Sequence, residues 1–173
     1  REDVTRQAGR RLSSQTLAVM QLSITYELVG SGWSKCTIED GEKSCSISAS
    51  YLSDALGNLV VGAFSALSGF ASISFGFDEE PGEYRWVIEQ TEPNQIQLQI
   101  LEFEDLWGCK PNADGKVLLS TTCRPLVFAA AVQRAAASVL AEHGAEGYLG
   151  KWIEHPFPTR QLSLLSELVA ARE

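Results

Sequence analysis

Ser72-Ile73-Ser74-Phe75-Gly76-Phe77, Tyr84-Arg85-Trp86-Val87-Ile88-Glu89 and Gln95-Ile96-Gln97-Leu98-Gln99-Ile100 follow one another with only short gaps. In each run a large apolar side chain returns every second residue. That period puts Ile73, Phe75, Phe77, Tyr84, Trp86, Ile88, Ile96, Leu98 and Ile100 on one face of extended chain, with polar or small residues mostly on the other. The gaps, Asp78 to Glu83 and Thr91 to Asn94, contain Pro81-Gly82 and Pro93-Asn94, as hairpin connections do. Three strands joined by hairpins make an antiparallel sheet. After Ile100 the apolar positions slip to Leu101 and Phe103, which predicts a β-bulge near that point. Val117 to Cys123 completes a set of four strands.

The same period continues upstream. Met20, Leu22, Ile24, Tyr26 and Leu28 alternate with Gln21, Ser23, Thr25 and Glu27. Gly30-Ser31-Gly32 turns the chain, and Cys36 to Glu39 and Lys43 to Ala49 form a hairpin around Asp40-Gly41. Between the two strand sets the period lengthens. Leu52, Leu56, Leu59, Val60, Ala63, Phe64 and Leu67 fall on one helical face, with Ser50 or Ser53 as the expected cap and Gly69 as the stop. Near the end, Pro125 suits a first helical turn. Phe128, Ala131, Val132, Ala135, Val139 and Leu140 form the stripe of that helix, and it stops at Gly144. Residues 145–153 read as a short helix or turn. His155-Pro156-Phe157-Pro158 is a rigid link, and Thr159 is the expected cap of a last helix carrying Leu162, Leu165, Leu168 and Val169. The fold class is therefore α+β: about seven mainly antiparallel strands with two to three helices on one face, in the order βββα-ββββ-αα. Residues 1–15 read as a polar arm and residues 16–173 as one domain.

Charge and composition exclude several functions. The 173 residues hold 14 basic and 22 acidic side chains, a formal charge of −8. Phosphate binding needs clustered Lys and Arg. The only such cluster is Arg6, Arg10 and Arg11. Neither nucleic acid nor an anionic membrane is an expected partner. No stretch is expected to span a bilayer: the most apolar run, Leu59 to Ala71, is short and interrupted. The first residues do not resemble a signal peptide, and a cytoplasmic location is the expectation. None of the four cysteines sits in a Cys-x-x-Cys, so no zinc site is expected. With Asp40-Gly41 as the turn, Cys36 and Cys45 face each other at a non-hydrogen-bonded pair. They would form either a cross-strand disulfide or, as low cysteine density favours, two reduced thiols.

Residues 78–105 carry nine carboxylates and one base, Arg85, so their net charge equals that of the whole chain. Adjacent hairpins should gather this charge on one side of the sheet. It is either a solvated face that keeps the protein soluble or a docking surface for a basic protein, where opposite charge speeds encounter. On the docking reading, Glu79, Glu80, Glu83, Glu102, Glu104, Asp105 and Trp107 make the contact. Glu102, Glu104 and Asp105 have the oxygen ligands a hard cation wants, but EF-hand spacing is absent, and neither a metal nor any other cofactor is expected. Catalytic chemistry has little to work with. His143 is explained by a helix end, and no nucleophile elbow, zinc-protease or phosphate-loop motif is present. The alternative to docking is an enzyme or small-ligand pocket between sheet and helices. It would use His155, beside Trp152, together with a carboxylate such as Glu102. A homodimer formed through sheet edges or apolar helix faces is a third option.

The stretch Phe77 to Trp86, with Phe103 to Trp107 and Trp152 to Pro158, resembles a family of small uncharacterised bacterial proteins. That resemblance implies no activity. The acidic α+β plan is also similar to immunity proteins that neutralise bacterial toxins. This likeness implies a non-catalytic binding protein of immunity or adaptor type.

Overall fold

Among the described residues, seven strands and three helices follow one another in the expected order. They run β1 Ser23–Leu28, β2 Trp33–Glu39, β3 Ser44–Ser50, α1 Ala55–Leu67, β4 Ser72–Asp78, β5 Glu83–Glu92, β6 Gln95–Phe103, β7 Lys116–Cys123, α2 Pro125–Trp152 and α3 Thr159–Ala170. This computed structural model describes residues 21–173, and the expected arm over 1–15 lies outside the described residues. The strands divide into two antiparallel sheets, β1-β2-β3 and β4-β5-β6-β7.

One hydrophobic core joins both sheets and all three helices. Alternation explains how. Ile24 and Tyr26 of β1 and Cys36 and Ile38 of β2 point inward, while their neighbours face out. Trp86 is fully buried. Its ring stacks on Phe75 at 5.7 Å and reaches Phe128 of α2 at 6.3 Å. Tyr26 meets Phe77 edge-on at 6.3 Å and so joins the two sheets. Burial of an aromatic of this size stabilises the fold by about 3 kcal/mol.

Several local expectations need correction. The hairpin between β2 and β3 pairs Glu39 with Ser44, Ile38 with Cys45 and Cys36 with Ile47. The turn residues are Gly41-Glu42 rather than Asp40-Gly41. Asp40 Oδ1 accepts the Glu42 and Lys43 N–H groups at 3.0 and 2.7 Å, and Gly41 takes φ +93°. This moves the register by two, so both cysteines still face inward but no longer oppose each other. All four cysteines are free. Helix α1 is capped by Asp54, whose Oδ1 accepts the Gly57 N–H at 3.1 Å. Ser53 instead accepts the Asp78 N–H. Thr159 does not cap α3, since its hydroxyl donates to the Phe157 carbonyl.

Other local readings hold. Gly69 N–H bonds to the Ala66 carbonyl and Phe70 N–H to that of Ser65, the paired bonds that close a helix through a left-handed glycine. Pro125 opens α2, and Gly144 interrupts it with φ +64° and ψ 169°. Contrary to the reading of apolar run lengths, α2 has the length and mean hydropathy to cross a bilayer. Its stripe of Phe128, Ala131, Val132, Ala135 and Val139 is buried in the core. The bulge also occurs, on β7: Ile100 pairs with Leu119 but Leu101 with Val117. Against β5, strand β6 keeps one register from Ile96 to Phe103, and the shift in that pairing lies at the other end, between Gln90 and Glu92 of β5. The slip in the sequence therefore has a second cause. Leu101 and Phe103 join Val87 in a small separate core on the far face of the sheet.

Candidate acidic docking site

The register of β4 to β7 decides where the carboxylates go. Asp78 pairs with Glu83, Glu83 with Phe103, and Glu102 with Lys116. The β4–β5 turn and the β6–β7 loop therefore leave from the same end of the sheet. That end holds Asp78, Glu79, Glu80, Glu83, Glu102, Glu104 and Asp105. Glu89 and Glu92 lie toward the opposite end, so the charge gathers less completely than the sequence implied.

The two connections are tied together. Leu106 N–H donates to the Pro81 carbonyl at 2.7 Å, and Glu79 N–H to the Gly82 carbonyl at 2.8 Å. A Cβ on Gly82 would collide with the Phe103 carbonyl oxygen, so only glycine lets the turn sit this close to β6. Trp107 Nε1 donates to Asp78 Oδ2 at 3.3 Å. The Trp107 ring is otherwise 67% exposed, and its φ is +58°. Burial pushes the Asp78 carboxyl up, the Trp107 hydrogen bond pulls it down, and the Glu83 charge pushes it up again; the outcome is a raised value.

Cations divide the carboxylates into two groups. Glu83 is paired with Arg85 at 2.5 Å, Asp105 with Lys110 at 2.6 Å, and Glu102 with Lys116 at 2.8 Å. The hydrogen bonds to Asp105 and Glu102 hold the Lys110 and Lys116 ammonium groups above their usual range. Asp78, Glu79, Glu80 and Glu104 have no cation within 4 Å among the described residues. Glu79 accepts a short hydrogen bond from the Ser48 hydroxyl of β3. It also lies against Tyr84, whose phenol is pushed up to about 12, first by burial and then by its hydrogen bond to Glu79.

Between the loops runs a groove of about 580 Å³. Glu79, Glu102, Glu104 and Asp114 line it with Lys110, Lys116 and Phe103. Arg85 anchors the loop segment that carries Lys110. Its guanidinium donates to the Lys110 carbonyl at 2.7 Å and Asn112 Oδ1 at 2.9 Å, and it lies 4.2 Å from the centre of the Phe103 ring. Sequence reasoning missed Lys110, Asp114, Lys116, Ser48 and Tyr84. The chain turns in a short 3-10 helix over Asn112–Asp114, and β7 then brings Lys116 back across from Glu102. The second expected pocket does not join this one. Trp152 is fully buried, with Nε1 donating to the Ser53 carbonyl at 3.3 Å. His155 lies half-buried between α2 and α3, and nothing from that link lines the groove around Glu102. Among the described residues no cluster of three or more His, Cys, Asp or Glu could hold a metal ion.

Compared with protein-family models, curated proteins and solved structures, the chain has no match in any of the three.

Proposed function

We propose that the chain is a non-catalytic binding protein of immunity or adaptor type, and that it docks a basic protein on the end of the four-stranded sheet. The observation that carries this reading is the division of charge across two tethered loops. Three carboxylates are paired with cations of the chain itself: Glu83 with Arg85 on β5, Asp105 with Lys110 in the β6–β7 loop, and Glu102 with Lys116 across β6 and β7. Among the described residues four others have no such partner, and one of them, Asp78, accepts a hydrogen bond from the exposed Trp107. Carboxylates left at a rim attract a cationic surface from a distance, and an exposed tryptophan supplies the apolar contact that interfaces favour.

A lysine-rich peptide titrated into the protein tests the reading by calorimetry, with capture from source lysate in parallel. Affinity is expected to fall steeply as salt rises, because screening shortens the reach of surface charge. Glu80→Lys with Glu104→Lys should weaken binding about tenfold or more. Binding that ignores salt and both substitutions would refute the proposal, as would the absence of binding.

A further inference from the structure

The residue after α2 is strained. Ile153 has φ +81° and ψ −63°, and Glu154 N–H reaches back to the Trp152 carbonyl at 3.1 Å. This is a γ-turn of the unfavourable hand, centred on a β-branched residue. Such a conformation costs on the order of 1–3 kcal/mol. Glycine would remove the strain. The chain holds isoleucine there instead, with half of it exposed.

Gly32 connects this turn to the three-stranded sheet. Its N–H donates to the Lys151 carbonyl at 2.7 Å, and a Cβ built on it would stand 3.6 Å from Ile153 Cδ1. The next residue, Trp33, accepts the Val29 N–H at 2.8 Å. Val29, Trp33, Leu149 and Ile153 are all exposed, and all belong to this corner. Glu27 and Lys35 sit directly opposite each other on the outer face of β1 and β2. Lys151 and Glu154 flank Ile153. None of these four charges is in an ion pair among the described residues.

We propose that this corner is where two copies of the chain pair about a two-fold axis. Two-fold pairing sets one patch against itself, so the patch must complement itself. An apolar centre rimmed by two acids and two bases does so: Glu27 and Glu154 of one copy can meet Lys35 and Lys151 of the other. A patch made for an acidic or a basic partner would carry one sign. The four residues are each 38–52% exposed and would supply the apolar centre of the ~800 Å² that a standard interface takes from each partner. Pairing of this size is weak, and the strain at Ile153 is what brings an aliphatic side chain to its middle. The inference does not depend on the docking of a basic protein.

Sedimentation velocity on the full chain, from about 1 to about 500 μM, tests it. The mass should move from monomer toward dimer, with a dissociation constant on the order of 10–100 μM. Ile153→Gly removes the side chain and the strain together. It should weaken pairing about tenfold or more, while thermal stability at the dilute end holds or rises. Trp33→Ser, on an exposed side chain, gives a second variant with the same expected loss. A wild-type chain that stays monomeric throughout would overturn the proposal. So would pairing that neither variant weakens, or open-ended species larger than a dimer.

Discussion

Replacing Arg85 by methionine should detach the acidic loop from the sheet. The Arg85 and Glu83 side chains are only 16% and 12% exposed. Methionine keeps the apolar stem over Phe103 but removes the guanidinium. Three things go with it: the pair with Glu83, two hydrogen bonds into the loop at Lys110 and Asn112, and the charge above the Phe103 ring. A hydrogen bond from a charged donor contributes about 1.5–3 kcal/mol, and a partly desolvated cation–π contact about 1 kcal/mol. Glu83 is left with little water and no cation, which adds to the cost. The freed loop can rehydrate, which offsets part of the loss. The expected destabilisation is about 2–4 kcal/mol. Urea denaturation measures it, and amide exchange over residues 104–115 should rise with it. Adding Glu83→Gln should recover part of the loss, because no carboxylate is then stranded. A change below about 0.5 kcal/mol, with exchange in the loop unaltered, would refute the assigned role of Arg85.

Two further outcomes follow from the thiols and phenols. Cys36, Cys45 and Cys123 are buried, and burial pushes their thiols up, that of Cys123 to about 12, whereas Cys109 is exposed. A chromogenic disulfide reagent at neutral pH should therefore titrate one thiol in the native protein and three more on unfolding; a deficit of two would show a disulfide. The Tyr84 phenol ionises at about 12 in the folded chain and near its ordinary value of 10.0 in the unfolded one. Its contribution to stability is thus full below pH 10 and is lost as pH rises through about 12. Tyr84→Phe should flatten the alkaline fall in stability across that window, and an unchanged slope would exclude this role.

Order and class were legible in the sequence because both rest on period. Trp86, Leu98 and Ile100 are buried by an alternation visible in the chain itself. The hairpin register was not legible, because Asp40 could serve as a turn residue or as an acceptor for the turn behind it. Its hydrogen bonds to Glu42 and Lys43 decide the matter, and those depend on a loop conformation that no periodicity encodes. The slip at Leu101 was visible but carried two meanings. It marked a bulge, found on the partner strand, and it marked a second small core beneath the loop. Only the fold of residues 104–115 over Phe103 reveals the second meaning.

The site shows the same division between what is local and what is not. The carboxylates could be counted, but which of them are neutralised depends on cations distant in sequence. Lys116 reaches Glu102 because β7 returns antiparallel to β6. Lys110 reaches Asp105 because left-handed residues at Trp107 and Cys109 fold the loop back. These pairs lie close to solvent, where an ion pair adds little to stability. Their effect is positional: they fix the β6–β7 connection, which the Leu106–Pro81 backbone bond ties to the β4–β5 turn, so that Glu79 and Glu104 line one groove. A face serving only solubility gains nothing from such bracing, because scattered charges hydrate better than gathered ones. The bracing makes sense if the gathered charge is held ready for a cationic surface. The combined loss of Lys110 and Lys116 separates the two accounts. On the docking reading Lys110→Ala with Lys116→Ala makes the site more negative yet weakens peptide binding, because the β6–β7 loop is no longer held in place. If the charges serve solubility alone, the added negative charge strengthens peptide binding instead.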